Sequence, residues 1–440
     1  MSSKQIHLSI NLTEYGRHSG SWRHPDADVS EIPNLSAYLY ACQWAEKGFF
    51  DQGFMADTPV HSWGNDSTTG TRLDALEMAA YLAERTTHLG LIATMSTSYT
   101  EPFDVARRGA SVANLSGGRL GLNFVASQGD EMARNYNLAR ELPRPVRYAR
   151  YREYLGVITR LWDQAPTADS PGEVLRHHGE HFDLEAVLDV HRPPFGRPVI
   201  IQAGQSAEGR DLAARWADAI YAAGTTVERG REYYADIKRR AAAYGRDPEG
   251  IKVIMGIAPF IGETEKEAHE LKHLLDDYHA EGADVIAHLS KIFEHDLSGY
   301  DPEGPVPLDD LPEVRSASVG LATMWKRVAR EEGVPLGELA RRSFVGGLAN
   351  MQFVSVGDPV HVADEMQLWF ETGACDGFSL VSPNVVPTME NFVNYVVPIL
   401  QERGLLRTSY EADTLPGHFG LSAPLEPRHT LPAGAQQLPL

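Results

Sequence analysis

The chain has 440 residues and a formal net charge of −20 at pH 7, from 40 Lys and Arg against 60 Asp and Glu. A chain with this excess of negative charge is not expected to present a basic surface that binds nucleic acid, and it is not attracted to an anionic membrane. The sequence shows no apolar run that could span a bilayer and no signal-peptide pattern at its start. Two cysteines, Cys42 and Cys375, make no disulfide framework. We therefore expect a cytoplasmic protein that binds neither nucleic acid nor membrane.

Apolar runs alternate with segments of helical periodicity along most of the chain. Eight runs are predicted to be strands, at residues 6–12, 49–56, 89–95, 120–125, 198–203, 219–223, 251–260 and 377–381. Helices are predicted between most of them, at residues 35–47, 75–85, 147–162, 208–216, 231–244 and 360–372. Eight strands in alternation with helices favour an α/β fold of the (β/α)8 barrel type over an open, Rossmann-like sheet. No GxGxxG follows a strand and no GxxxxGK[ST] occurs, which weakens the Rossmann-like alternative.

Residues 88–127 show the repeating unit most clearly. The apolar run at 89–95 ends in a cluster of hydroxyl residues that includes Ser98. Pro102 then opens a helix, where its missing N–H costs nothing. The next run, at 120–125, contains Asn123 and is followed by Ser127. Two buried strands with polar residues at their carboxyl ends predict a site at the top of a parallel sheet.

Two long stretches separate the predicted strands, at residues 128–197 before the fifth strand and 262–376 before the eighth. The second contains helical segments at 264–293 and 321–342 on either side of a stretch rich in Pro, Gly and Asp. We interpret both as insertions in a single barrel domain of residues 1–421. Residues 422–440 are rich in Pro, Ala and Gln and are predicted to form an extended or disordered arm.

Two strand ends and one helix carry candidate site residues. A buried strand stops at Gly204, and Ser206 then stands at a helix start, where free N–H groups and the helix dipole suit a phosphate. An ordinary N-cap is the alternative for Ser206. Asp57 follows the second strand and would point into the barrel mouth, with a loop cap as the alternative.

The helix is marked by the segment PRPVRYARYREY, a basic and aromatic cluster. In an acidic protein such a cluster indicates an anionic ligand, and a solvated helix face with ion pairs is the alternative. Its members are Arg144, Arg147, Tyr148, Arg150, Tyr151 and Arg152.

The stretch HHGEHF at residues 177–182 gathers three histidines and a glutamate. Its spacing matches no zinc motif, and the Pro and Gly residues just upstream favour a surface hairpin, so no metal site is predicted. The chain also lacks a GxSxG nucleophile elbow, and serine-hydrolase chemistry has no support.

Several longer motifs follow one another in a distinctive order. They are SWRHPDAD, GFFDQGFMAD, residues 88–127, ARNYNL, RYARYREYLGVITRLW, RPVIIQAGQSAEGRDLAARWAD, GDPVHVADEMQLWFETGACDGF, FVNYVVPILQERGLLRTSYEADTL and HFGL. From about residue 6 to 421 this order resembles the nitrilotriacetate, dibenzothiophene-sulfone and pristinamycin-forming monooxygenases, a branch of the bacterial-luciferase-like flavoproteins. The resemblance implies a (β/α)8 barrel that binds reduced FMN from a separate NAD(P)H:flavin reductase. It also implies that O2 oxygenates a small organic substrate through a C4a-hydroperoxyflavin.

Residue roles are carried over by motif. Asp57 would lie beside the isoalloxazine ring and Ser98 near the flavin, and Asn123 and Ser127 would line the same pocket. Tyr148 and Ser206 would hold the phosphate, beside the loop that begins at Gly204. Where the family usually has a His, this sequence has Arg144, which can bind phosphate at least as well, so flavin binding is expected but the proton-transfer role of that His is not carried over.

The motifs leave the catalytic residue unknown, with His18 and Asp57 as candidates. Substrate contacts are expected from residues 15–22, including Trp22 with the adjacent Arg23, from residues 61–71, and from the long segment before the last strand. The family oxidises aminopolycarboxylates, sulfones and cyclic natural products, so the resemblance does not select a substrate. Two alternatives stay open: a deazaflavin (F420)-dependent oxidoreductase on the same barrel, and a flavin-binding protein without turnover. A homo-oligomer, either dimer or tetramer, is expected.

Overall fold

A computed structural model describes residues 4–30, 33–60, 73–313, 319–345, 352–422 and 425. The strands in this part of the chain are β1 (His7–Asn11), β2 (Gln52–Met55), β3 (Gly90–Ser96), β4 (Leu120–Val125), β5 (Leu175–His178), β6 (Asp183–Ala186), β7 (Val199–Gln202), β8 (Ala219–Ala222), β9 (Lys252–Ile261), β10 (Phe353–Gly357) and β11 (Gly377–Leu380). The α-helices are α1 (Leu35–Lys47), α2 (Ala75–Ala83), α3 (Pro102–Leu115), α4 (Asp130–Asn135), α5 (Arg144–Asp163), α6 (Ala207–Trp216), α7 (Val227–Ala243), α8 (Glu265–Ala280), α9 (Val285–Phe293), α10 (Val319–Glu332), α11 (Leu336–Val345), α12 (Pro359–Glu371), α13 (Val385–Asn391), α14 (Val397–Glu402) and α15 (Leu415–His418).

Eight of the strands close into a parallel barrel. Their order is β1-β2-β3-β4-β7-β8-β9-β11, and β11 pairs again with β1. The register places Asn123 of β4 opposite Thr94 of β3 on one side and Ile201 of β7 on the other. The eight strands coincide with the eight predicted ones, so the predicted (β/α)8 barrel is confirmed, with its long insertions before the fifth and eighth barrel strands.

Strand β10 was not predicted, because the whole stretch 262–376 was interpreted as helical and irregular. It pairs in parallel with the last five residues of β9, from Ile257 to Ile261. The ring strand β11 contacts β9 only over Ile254–Ile257, so the longer β9 leaves an edge that β10 covers. The two helical segments predicted in this insertion each divide in two. Gly282 (φ 71°) separates α8 from α9, and Gly333 (φ 64°) separates α10 from α11.

The hairpin predicted around HHGEHF is formed by β5 and β6, which pair antiparallel. Two of its three histidines contact carboxylates of the chain. His177 Nε2 lies 2.9 Å from Glu153 Oε1 on α5, and His178 Nδ1 lies 2.7 Å from Asp183 Oδ1 across the hairpin. The first contact ties the hairpin to α5, and the second joins its two strands.

The amino-terminal end of the barrel is sealed by the carboxyl-terminal part of the chain. Leu415 and Phe419 pack inside the barrel against apolar side chains of β2, β3 and β7. A Cβ on Gly90 would lie 2.6 Å from the Leu415 side chain and 2.8 Å from the Asp51 backbone carbonyl, so the start of β3 needs glycine. Leu425 joins the same cluster, while most of the predicted arm at 422–440 lies outside the described residues. None of the described helices is long and apolar enough to cross a membrane.

We predict that Leu415→Ala lowers the free energy of unfolding by about 2–5 kcal/mol, because it removes a fully buried side chain and leaves a cavity at the sealed end. Urea denaturation followed by circular dichroism measures this loss. Leu115→Ala is the matched control, since Leu115 is 75% exposed and its removal should change stability by less than about 0.5 kcal/mol. Equal stability of the two variants would contradict the sealing role of Leu415.

Candidate active site

A cavity of about 800 Å³ opens at the carboxyl ends of the barrel strands. This is the end where the loops of parallel barrels gather functional side chains, and the volume suits a cofactor or a small-molecule ligand. The residues that the strands themselves contribute are Asn11 of β1, Phe54 of β2, Thr94 of β3, Asn123 and Val125 of β4, and Tyr221 of β8.

The floor of the cavity carries amide oxygens without a partner. The Asn123 side-chain N–H donates to Thr94 Oγ1 at 3.0 Å, and Thr94 in turn donates to the Met55 carbonyl at 2.8 Å. This chain of hydrogen bonds fixes the amide and turns Asn123 Oδ1 away from Thr94. Asn123 Oδ1 and Asn11 Oδ1 are buried with no hydrogen-bond partner among the described residues. An unpaired buried acceptor costs about 1–3 kcal/mol, so the floor is built to receive donor groups of a ligand.

One wall of the cavity is aromatic. The rings of Phe54 and Tyr221 stack with centroids 5.5 Å apart and an interplanar angle of 25°. The Tyr221 hydroxyl donates to Gln352 Oε1 at 3.3 Å. Burial raises the pKa of Tyr221 to about 12, so the phenol is protonated at neutral pH and acts as a donor. Asp57 also lines the cavity, directly after β2, where the sequence predicted a carboxylate at the barrel mouth.

The loop between β7 and α6 meets the start of α5 next to this cavity. Ser206 is the N-cap of α6, and its Oγ accepts from Gly209 N–H at 3.1 Å. The same Oγ lies 3.2 Å from the Tyr148 hydroxyl. Arg144 is close by, with its guanidinium 5.6 Å from the Tyr148 ring centroid and 2.8 Å from the Glu208 carboxylate. The N-cap is therefore present, and the predicted phosphate-binding residues lie together.

Gly204 makes this loop possible. A Cβ on Gly204 would lie 2.7 to 2.8 Å from backbone atoms of Gly209, so the loop folds tightly onto the first turn of α6. The Tyr233 hydroxyl holds the loop from the other side by donating to the Gly204 carbonyl at 2.7 Å. The neighbouring residues Ala203 and Gln205 line the cavity, which connects the Ser206 group with its floor.

Ser98 and Ser127 lie together but are not part of the cavity lining. Ser98 Oγ donates to the Ser127 carbonyl at 3.3 Å, and Arg147 donates to the same carbonyl at 3.0 Å. Arg150 likewise donates to the carbonyl of Thr97, the residue after β3, at 3.1 Å, and the Tyr151 hydroxyl donates to the carbonyl of Phe124 within β4 at 2.5 Å. The basic and aromatic cluster of α5 therefore divides in two. Arg147, Arg150 and Tyr151 hold the loops of the rim, whereas Tyr148 contacts Ser206 and Arg144 pairs with Glu208 next to it.

The structure places His18 away from the cavity lining. Its Nε2 lies 3.0 Å from Asp276 Oδ1 on α8, and its Nδ1 accepts from Gly20 N–H at 3.1 Å. Burial alone would raise the pKa of Asp276, but hydrogen bonds from His18 and Lys272 lower it below its usual value. Both ring nitrogens of His18 are therefore occupied in holding the loop after β1 against α8.

Trp22 and Arg23 belong to the same loop. Arg23 stacks on Trp22 at 4.3 Å from the ring centroid and donates to the Tyr278 carbonyl at 2.7 Å. Both residues therefore support the loop against α8, and neither is part of the cavity lining. The predicted substrate loop at residues 61–71 lies outside the described residues.

Comparison with known proteins assigns the chain to a family. Residues 21–375 match the family model described as luciferase-like monooxygenase. The chain belongs to the luciferase-like monooxygenases. It is 37% identical over 435 residues to N-acetyl-S-(2-succino)cysteine monooxygenase of Bacillus subtilis, covering 96% of this chain and 98% of that one. Nitrilotriacetate monooxygenase component A of Aminobacter aminovorans is 34% identical, with coverage of 96% and 98%. The structure of EDTA monooxygenase from Chelativorans sp. BNC1 superimposes with a TM-score of 0.77 at 31% identity, covering 95% of this chain and 99% of that one.

Several cavity residues of this luciferase-like monooxygenase were missed by the sequence analysis. They are Asn11, Phe54, Tyr221 and Arg229, whereas Arg17 and Gln352 lie in two stretches, residues 15–22 and the long segment before the last strand, from which substrate contacts were expected. Asn11 and Tyr221 stand near the ends of predicted strands, which is the signal that singled out Asn123. Arg17 and Arg229 lie in loops or at a helix start, where no periodicity shows which way a side chain faces. Gln352 precedes β10, the strand that was not predicted.

We predict that Gly204→Ala costs about 1–3 kcal/mol of stability, because its methyl group would overlap the Gly209 backbone. Gly156→Ala is the control: a Cβ there meets no atom within 4 Å, and alanine should stabilise α5 by about 0.5–1 kcal/mol. Urea denaturation of the two variants measures both effects. A Gly204→Ala variant as stable as the parent would show that the loop does not need this close contact.

Proposed function

We propose that the protein is a two-component monooxygenase that uses reduced FMN and O2 to oxygenate a small organic substrate. The observation that carries this proposal is the cavity at the barrel rim. It is lined by amide side chains whose oxygens have no hydrogen-bond partner among the described residues, and by Ala203 and Gln205 of the loop that leads to Ser206. Membership of the luciferase-like monooxygenases supplies the reaction class. One relative is named as component A of a monooxygenase, which supports a partner that delivers the flavin.

The residues present fit reduced FMN. Ser206, Tyr148 and Arg144 would hold the phosphate at the start of α6, where N–H groups and the helix dipole favour an anion. Gly204 lets the backbone fold close enough for this, and Asp57 and Asn123 would contact the ring in the cavity. Ser98 and Ser127, whose hydroxyl and backbone carbonyl are hydrogen-bonded at 3.3 Å, would form the edge of the flavin pocket next to the ring.

When bound, reduced FMN supplies the two electrons that activate O2, so that one oxygen atom enters the substrate and the other leaves as water. The chain's own part is to bind and orient both ligands and to keep bulk water from the reacting centre. Tyr221 contributes a neutral hydroxyl to the cavity, because burial raises its pKa to about 12. The chain carries no recognised nicotinamide motif, so a separate NAD(P)H:flavin reductase would supply the reduced flavin.

We expect reduced FMN to bind more tightly than oxidised FMN. Reduced flavin has two ring N–H donors that oxidised flavin lacks, and Asn123 Oδ1 is a buried acceptor without a partner among the described residues. Asn123→Leu should weaken binding of reduced FMN by about tenfold, the equivalent of one hydrogen bond, and affect oxidised FMN less. Anaerobic titration monitored by flavin absorbance measures both affinities. Equal affinities for the two redox states in the parent protein would contradict this expectation.

The phosphate assignment is tested with Ser206→Asp, which places a carboxylate against the phosphate and should lower reduced-FMN affinity at least about tenfold. Thr264→Asp is the matched control, because Thr264 is the N-cap of α8 and does not line the cavity. Arg144→Ala should weaken FMN binding and leave the affinity for riboflavin, which lacks the phosphate, nearly unchanged. Equal losses for both ligands would exclude Arg144 as a phosphate ligand.

The reaction class is tested with the purified protein alone. Reduced FMN is oxidised by O2 even without a protein, so we expect the protein to change the rate of this oxidation relative to reduced FMN alone, and without a reductase we expect no efficient oxidation of NADH. Efficient NADH oxidation by the protein with FMN would contradict the two-component scheme. Anaerobic turnover with reduced F420, together with no effect of the protein on the oxidation of reduced FMN by O2, would instead identify a deazaflavin-dependent oxidoreductase.

A further inference from the structure

The cavity is divided between two sets of elements. The residues proposed to bind FMN all lie on or after β2, β3, β4 and β7, or on α5. The opposite wall comes from the loop after β1, from β8, from the start of α7 and from the residue that precedes β10. The proposed function places the flavin against the side formed by β2, β3, β4, β7 and α5. The opposite side is the second wall, which then faces the substrate.

This second wall carries two arginines, Arg17 and Arg229. Arg229 is held only by a 3.5 Å contact to the Thr225 hydroxyl, and no carboxylate of the described residues forms an ion pair with it. Arg17 lies near Tyr221. Burial raises the pKa of the Tyr221 phenol, and the positive charge of Arg17 partly opposes that rise. Two guanidinium groups on one wall indicate an anionic ligand, the more so in a chain of net charge −20.

The third arginine of the cavity has a different role. Arg210 donates to the Gln205 carbonyl at 3.0 Å and to Asp236 at 3.3 Å, and it packs over the Tyr233 ring at 4.7 Å from its centroid. The Arg210 guanidinium is therefore already occupied by contacts that support the loop before α6. Glu232 is the one acidic residue among the lining residues of α7, so the wall keeps a net positive charge.

We propose that the substrate is a small organic carboxylate. Its carboxylate binds Arg17 and Arg229, with Gln352 and the Tyr221 hydroxyl as further polar contacts, and its apolar part packs on the stacked rings of Phe54 and Tyr221. The inference rests on the proposed function, because it assigns this wall to the substrate after the flavin has taken the other. A phosphate has the same charge chemistry as a carboxylate, so the test must separate substrate binding from binding of the FMN phosphate.

The test is isothermal titration calorimetry of the full chain with N-acetylmethionine and with its uncharged methyl ester, in the absence of flavin. We expect the acid to bind at least about tenfold more tightly than the ester, the value of one charge-assisted hydrogen bond. Arg17→Gln and Arg229→Gln should each weaken binding of the acid at least about tenfold and leave the ester unchanged. Arg231→Gln is the matched control, since Arg231 lies on the same helix and does not line the cavity.

Three results would overturn the inference: no measurable binding of the acid, equal binding of acid and ester, or equal losses for both in the arginine variants. Titration of the same variants with FMN and riboflavin separates the two sources of negative charge. A loss confined to FMN would show that Arg17 and Arg229 hold the flavin phosphate, which contradicts the substrate assignment. Because the acid titration contains no flavin, a failure of the proposed FMN dependence would not by itself produce any of these results.

Discussion

Parallel pairing in a closed ring forces the carboxyl ends of all eight barrel strands to one rim and their amino ends to the other. The ring closes through the pairs β8–β9 and β11–β1, and this closure brings Asn11 and Tyr221 into one cavity although they are distant in sequence. The opposite rim is filled by Leu415 and Phe419. In the part of the chain that the structure describes, the cavity opens at the carboxyl rim, and polar residues of β1, β3, β4 and β8, namely Asn11, Thr94, Asn123 and Tyr221, line it there.

The positions of the site residues depend on buried polar contacts that cost energy to maintain. Arg197 and Asp218 form a two-point ion pair at 2.7 and 3.0 Å, both side chains fully buried, and it joins the amino ends of β7 and β8. Breaking such a pair typically costs about 3–5 kcal/mol, so it holds in register the two strands that lead to the Ser206 loop and to Tyr221. The side-chain oxygens of Asn11 and Asn123 have the opposite effect, because a buried acceptor that has no hydrogen-bond partner among the described residues lowers the stability of the fold. The buried ion pair therefore stabilises the amino-terminal end of the barrel, whereas the buried amide oxygens at the cavity reduce stability.

The sequence was informative wherever burial enforces a pattern. Fully buried parallel strands give continuous apolar runs, so the barrel strands could be predicted, and Pro102 marked the start of α3. Asp57 and Asn123 could be found because the end of a buried strand locates the rim. Strand β10 could not be predicted, because it is a five-residue strand that covers the edge of β9 and alternates buried with half-buried residues, so it gives no continuous apolar run. The direction in which a loop side chain points could not be predicted either. Arg17 and His18 are neighbours in the loop after β1, yet His18 packs against Asp276 and Arg17 lines the cavity.

The most direct test of this account is a crystal structure of the protein with FMN and a carboxylate ligand bound together. The account predicts the FMN phosphate between Tyr148 and Ser206, the isoalloxazine ring over Asn123 and Asp57, and the carboxylate against Arg17 and Arg229. A phosphate bound to Arg17 and Arg229, with the isoalloxazine ring against Tyr221 and the Ser206 loop left without contact, would contradict it.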